Sequence, residues 1–297
     1  MVTPTPSDRT AHREKRADYF EKLLRRGKTG TKAVASVAQL NKKVDEVRLK
    51  QAIVESNKVP PIVEKPKKFT TFAATYTAGT IVRKGLERLD QDYILQKIKG
   101  DGHCFFRATA VFIVKKWVTS SAVQRMEYLE GVRANIEGLK SEALTEKFGR
   151  VEKLLKAVAM EEFSHFSAVY NETISNLLVH FLRELACECN KQGLKEGQET
   201  FSVYVQERTG KDDVNAYLTS MSDMQRAMYA DEPELMAIVK MMRINIRVLN
   251  ITSIGAGQEI LQRHLRHCYD ESQPERSDLF LVRRNNHYDI ALKKKGG

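Results

Sequence analysis

Three residue types that together can cut acyl bonds occur in a workable order along this 297-residue chain: Cys104, His287 and Asp289. In such a set a thiolate attacks a carbonyl, an imidazole carries the proton, and a carboxylate orients the imidazole. Cys104 lies in the stretch Gly100-Asp101-Gly102-His103-Cys104-Phe105-Phe106-Arg107. Before it, Tyr93 to Ile98 alternates like a strand, and two glycines then interrupt regular structure. After it, Ala108 to Trp117 has the apolar content of a buried helix. A thiol at a helix start faces unpaired backbone N–H groups and the positive end of the helix dipole. Both favour the thiolate, and the same groups can hold a developing oxyanion.

The imidazole and carboxylate need an element that presents them together. Leu279 to Arg283 and His287 to Leu292 predict two strands joined by a turn at Asn285-Asn286. Residues two apart on a strand share a face, so His287 and Asp289 point the same way. Asp289 can then bind one ring nitrogen, fix the tautomer and leave the other nitrogen for the thiol.

The stretch from Gly100 to Arg107 resembles the signature of the ovarian-tumour (OTU) family of papain-like cysteine peptidases, and His287-Tyr288-Asp289 resembles that family's histidine box. A third block between them is similar to a helix and central strand of the family: Asp213 to Leu218, Glu234 to Ile238 and Ile244 to Leu249. Three blocks in the correct order are more specific than any one alone. The resemblance spans residues 92–117 and 212–292 and leaves the first 90 residues and the middle unmatched. It implies an α+β, papain-like fold with a small central mixed sheet between helical lobes and an enlarged helical insertion. It also implies a deubiquitinase that cleaves after the C-terminal Gly-Gly of ubiquitin, with ubiquitin or polyubiquitin chains as partners and no metal or organic cofactor. On this reading Cys104 is the nucleophile, His287 the general base and Asp289 its orienting acid. Asp101 shapes the oxyanion loop with Gly102 and His103. His103 departs from the Asn or Ser common at its position. If the oxyanion donors are backbone groups its side chain is dispensable, and it is read as a partly solvated loop residue. Contact with substrate or tuning of the thiol is the other reading.

Composition frames where such chemistry would run. The chain is 42% hydrophobic, enough for one well-buried domain with extensions. Cys104, Cys187, Cys189 and Cys268 show no disulfide framework, in keeping with a reducing, cytoplasmic setting. No apolar run of about 18 residues occurs, so no membrane-spanning helix is expected. Met1 to Ser7 lacks the apolar core of a secretory signal, although a polar Ser/Thr/Pro start is compatible with a bacterial effector delivered to a host cytosol. The net charge is +11, and residues 1–50 hold 13 Lys/Arg against 6 Asp/Glu. The basic surplus therefore sits mainly in an extension, which could meet an anionic partner. Within it, Ser7 can cap a helix running to Arg26 that carries Tyr19, Phe20, Leu23 and Leu24 on one stripe and stops at Gly27. The Pro- and Lys-rich stretch from Asn57 to Lys68 reads as a linker.

The expected organisation is a basic extension and linker over 1–68, a catalytic domain over 69–292 and a tail over 293–297. A helical insertion falls at about 118–211 and the chain is expected to be a monomer. In the insertion, Val123, Met126, Leu129, Val132, Ile136 and Leu139 recur at helical spacing, as do Ile174, Leu177, Leu178, Phe181, Leu182 and Leu185. These stripes read as core, with Gly149 and Gly193 as helix stops, and the lobe they form could recognise ubiquitin. Cys187, Cys189, His264, His267 and Cys268 include enough soft ligands for zinc, but their irregular spacing favours buried thiols and surface histidines. His165 and His180 sit within helical stripes. Asp231 and Glu232 could meet the arginines of a ubiquitin tail, although a solvated helix start is the simpler reading, and Asn286 is a further candidate substrate contact. Two alternatives stay open: a catalytically weak ubiquitin-binding scaffold, and a peptidase for another ubiquitin-like modifier or a viral-type polyprotein.

Overall fold

A computed structural model describes residues 62–159, 172–197, 200–209, 213–223, 230–254, 258–267 and 279–294. The chain divides into two units, Met1–Glu55 and Ser56–Gly297, and every described residue belongs to the second. The helix expected from Ser7 to Arg26, His165, and the trio His264, His267 and Cys268 have no described side chains. The elements in order are β1 (Lys67–Lys68), α1 (Phe69–Ala73), α2 (Ile81–Asp92), β2 (Tyr93–Gln96), α3 (Cys104–Thr119), α4 (Ala122–Gly138) and α5 (Glu142–Ala159). After these come α6 (Glu172–Lys195), α7 (Thr200–Thr209), α8 (Val214–Ser222), α9 (Glu232–Met242), β3 (Ile246–Ile254), β4 (Gln258–His267), β5 (Leu279–Arg284) and β6 (His287–Lys293).

The strands form one mixed sheet in the order β1-β2-β6-β5-β3-β4. Only β3 and β5 run parallel; β2–β6, β5–β6 and β3–β4 are antiparallel. Strand alternation sends neighbouring side chains to opposite faces. Phe280, Val282 and Ala291 join Leu95, Leu249 and Ile251 under α1 and α2, where Phe69, Ala73, Val82 and Leu86 complete the cluster. On the other face α3 packs against β5 and β6, with the rings of Phe105 and Tyr288 5.5 Å apart. Eleven residues of α3 are buried, so it is apolar nearly all round, as a central helix must be. The helical lobe covers it, with α5 and α6 both against α3.

Three expectations are corrected here. Ile62 and Val63 are 1% and 2% exposed, Val63 bridges Ile98, and Lys67 and Lys68 pair with β2. The described part of the expected linker is therefore anchored to the fold by Ile62, Val63 and the Lys67–Lys68 strand, while Glu64 to Lys68 stay exposed. Gly149 and Gly193 stop nothing; α5 and α6 run through both. A glycine costs a helix only about 1 kcal/mol, less than the burial of their apolar faces returns. Finally, Val123 and Met126 are each 64% exposed, so the buried stripe of α4 begins at Leu129, not at its first turn. That turn is held instead by a capping box between Ser121 and Gln124.

Candidate active site

Cys104 is the first residue of α3, and the loop before it is folded by its own side chains. Asp101 Oδ1 accepts from the backbone N–H of His103 at 3.1 Å. The same carboxylate takes Arg107 Nε at 3.0 Å and Nη2 at 2.6 Å, from one turn inside the helix. Gly102 has φ +82°, a conformation that other residues adopt only with strain. Burial pushes the Asp101 carboxyl up, but the Arg107 hydrogen bonds and charge and the His103 N–H outweigh it and hold it below the usual carboxylate range. Asp101 is thus an ionised clamp that sets the loop. Helix geometry leaves the N–H groups of Cys104 and the next two residues without intrahelical acceptors.

Across the cleft, the β5–β6 turn brings the imidazole to the thiol. Asn285 takes φ +54° at the turn, where Asn is tolerated. The register then pairs Val282 with Asp289 and Arg284 with His287. Cys104 Sγ accepts from the backbone N–H of Tyr288 at 3.3 Å and lies 3.7 Å from the carbonyl oxygen of Asn286. The His287 ring hydrogen-bonds Asp289 and lines the same cleft as the Cys104 thiol. Its Nε2 is 2.9 Å from Asp289 Oδ1, which also accepts from the Ile98 N–H at 2.8 Å. The hydrogen bond to Asp289 and the neighbouring Cys104 push the His287 imidazole up to about 10, against the opposing effect of burial. Both neighbours therefore favour the charged form of the ring.

The structure brings Cys104, His287, Asp289, Gly102 and Asn286 together around one cleft of about 400 Å³, which Phe72, Lys97 and Arg284 also line. Asp231 and Glu232 do not line it. Asp231 pairs with Arg283 at 2.8 Å and shares a capping box with Glu234, so its carboxylate serves the start of α9. Glu232 faces a separate hollow between helices. Contrary to expectation, His103 is not partly solvated: it is 8% exposed and its Nδ1 lies 3.1 Å from Arg183 Nη1. Sequence reasoning missed Arg183 altogether and gave Arg107 no role. Arg107 stood inside the quoted motif, three residues after the cysteine, but its partner Asp101 is six positions away in the loop before the helix, a separation that no helical repeat pairs. Arg183 lies 80 residues from His103, and no local pattern links them.

Cys187 donates to the Leu218 carbonyl at 3.3 Å, and burial pushes its thiol up to about 11, away from a metal-ready thiolate. Among the described residues, no group of three or more His, Cys, Asp or Glu could hold a metal ion. Within the same residues, no helix is long and apolar enough to cross a membrane.

The family model described as Peptidase C65 Otubain matches residues 55–293. Among solved structures, one described as a ceOTUB1–ubiquitin aldehyde–UBC13~Ub complex superposes with a TM-score of 0.62 at 20% identity, covering 83% of this chain and 99% of that one. A second, of h/ceOTUB1 with ubiquitin aldehyde and UBCH5B~Ub, gives 0.60 at 18% identity over 86% of this chain and 100% of that one. At these identities the likeness speaks to the fold, which is of the OTU type. No curated protein matches the sequence.

Proposed function

The chain belongs to the Peptidase C65 otubain family, an OTU family of cysteine peptidases, and from that membership we propose that it is a deubiquitinase acting through Cys104, His287 and Asp289. The observation that carries the proposal is His287, hydrogen-bonded to Asp289, facing one cleft with Cys104 at a helix N-terminus. Cys104, as the thiolate whose proton rests on His287, attacks the carbonyl carbon of ubiquitin's terminal glycine, and backbone N–H groups at the start of α3 receive the oxyanion. The imidazolium of His287 gives its proton to the departing lysine amine, leaving a thioester and a neutral ring. That ring then takes a proton from water, hydroxide adds to the thioester, and the Cys104 thiolate is expelled beside the restored imidazolium, freeing the carboxyl end of ubiquitin. Asp289 keeps the ring aligned in both steps, and Asp101 holds the loop that carries the N–H donors. Asn286 borders the path of the ubiquitin tail. Asp231 and Glu232, committed elsewhere, take no part in this reading.

A panel of di-ubiquitin linkages incubated with wild type and Cys104→Ala tests the proposal. Cleavage of at least one linkage by the wild type alone is expected. No cleavage of any ubiquitin substrate, with turnover of another ubiquitin-like conjugate, would move the activity to that modifier. One observation favours a second reading: Cys104 is only 2% exposed, so an attacking thiol must first be uncovered. A ubiquitin-binding scaffold with little turnover would bind di-ubiquitin and leave every linkage intact.

A further inference from the structure

The residue immediately before the nucleophile is tied to the helical lobe by a buried arginine. Arg183, on α6, is 0% exposed. Its Nε donates to the Met221 carbonyl at 2.7 Å, and its Nη2 donates to the carbonyls of Ser220 at 2.7 Å and Asp223 at 2.8 Å. Those oxygens lie at the C-terminal end of α8, where helix carbonyls lack intrahelical partners and the dipole is negative. The guanidinium thus caps α8, and its Nη1 reaches His103 Nδ1 at 3.1 Å.

This geometry fixes the chemistry of His103. A guanidinium has only donors, so Nδ1 must be the acceptor and the ring proton must sit on Nε2. His103 is also the N-cap of α3, with φ −110° and ψ 8°, and its side chain makes no cap hydrogen bond. Its backbone N–H goes to Asp101, and its carbonyl receives the Arg107 N–H at 2.9 Å. Main chain and side chain are both committed, immediately before Cys104. A second arginine repeats the attachment: Arg107 donates to Ser175 Oγ at 2.7 Å and Asn176 Oδ1 at 3.0 Å, one residue pair on α6. Asn176 and Arg183 are seven residues, about two turns, apart, so one face of α6 grips the nucleophile loop at two points.

We propose that His103 is a positioning residue of the peptidase: as a neutral, Nε2-protonated ring gripped by Arg183, it locks the N-cap that presents Cys104 and couples it to the end of α8. The proposal rests on Cys104 being the nucleophile. The residue type matters through the position of its acceptor. In Asn the Oδ1 atom falls where His places Nδ1, in Gln the acceptor lies one carbon further out, and Leu has none.

The test compares His103→Asn, His103→Gln and His103→Leu in the full chain, using hydrolysis of a fluorogenic ubiquitin C-terminal substrate. The rate of Cys104 alkylation by iodoacetamide, followed by mass spectrometry, is the second readout. His103→Asn is expected to keep about tenfold more kcat and alkylation rate than His103→Gln or His103→Leu, the scale of one buried hydrogen bond left unmade, with KM changed less than about threefold throughout. The Asn–Gln pair stays polar, so the comparison survives if the Leu variant fails to fold. Equal kcat and alkylation in the Asn and Gln variants would overturn the proposal. If the wild type ignores ubiquitin, the deubiquitinase reading fails, while the alkylation rates still decide whether His103 positions the thiol.

Discussion

His287 has two partners that favour its charged form, and this couples the cleft to pH. A folded-state pKa near 10 stands above the ordinary histidine value of about 6.5. A group raised in this way lends stability that is fully present below the ordinary value and is lost as pH climbs through 10. Wild type should therefore lose more thermal stability between pH 6.5 and pH 10 than Asp289→Asn, which removes the first cause of the shift. Melting curves of both proteins across that range check it, and parallel losses would contradict it. The same substitution should lower kcat at least about tenfold, since the ring loses its orienting charge. Arg107 is the other exposed point of the account at this scale. It is 2% exposed and binds an ionised carboxylate, so Arg107→Ala should cost about 3 kcal/mol in urea unfolding, the cost of breaking a buried pair. Cys104, His287 and Asp289 were legible because glycines, alternation and a two-residue spacing carry their signal locally. His103 was misread because its partner comes from a helix that only the folded chain brings near.

At the scale of elements, α3 and the β5–β6 hairpin carry the candidate triad, and α6 supports the loop that precedes α3. The hairpin was readable to within a residue: two alternating runs and an Asn-Asn turn leave little freedom. So was the start of α3, since glycines end the preceding strand. The helical lobe was read correctly in type and wrongly in detail. Gly149 and Gly193 looked like stops because propensity is a local quantity, whereas packing against α3 and α9 decides whether a long helix continues. Burial within a stripe is also set by neighbours. Leu182 is 0% exposed and Met126 is 64% exposed, although both lie on helical repeats. Leu182→Ala should therefore destabilise by about 3 kcal/mol and Met126→Ala by less than about 0.5 kcal/mol. Chemical denaturation of the two variants checks both figures, and similar losses would mean the lobe packs differently.

At the scale of the whole molecule, the family match begins at residue 55, close to the division between the two units at Glu55 and Ser56. A chain starting at Ser56 should hydrolyse a small ubiquitin substrate within about twofold of the full chain. One starting at Phe69 should melt lower, because it lacks Ile62 and Val63, each worth about 2 kcal/mol of burial. Comparing the two truncations by melting temperature and kcat separates the extension from the fold; equal melting temperatures would remove Ile62 and Val63 from the core. The sheet order was only partly foreseeable, since β1 and β4 carry weak patterns and their pairing depends on contacts distant in sequence. The central claim concerns one sulfur atom. Incubating the protein with ubiquitin bearing a C-terminal electrophile, followed by peptide mass spectrometry, reads it directly. The account predicts a single covalent adduct on Cys104 that Cys104→Ala abolishes. Unmodified Cys104 under conditions where the probe labels a known deubiquitinase, or an adduct on another cysteine, would contradict it.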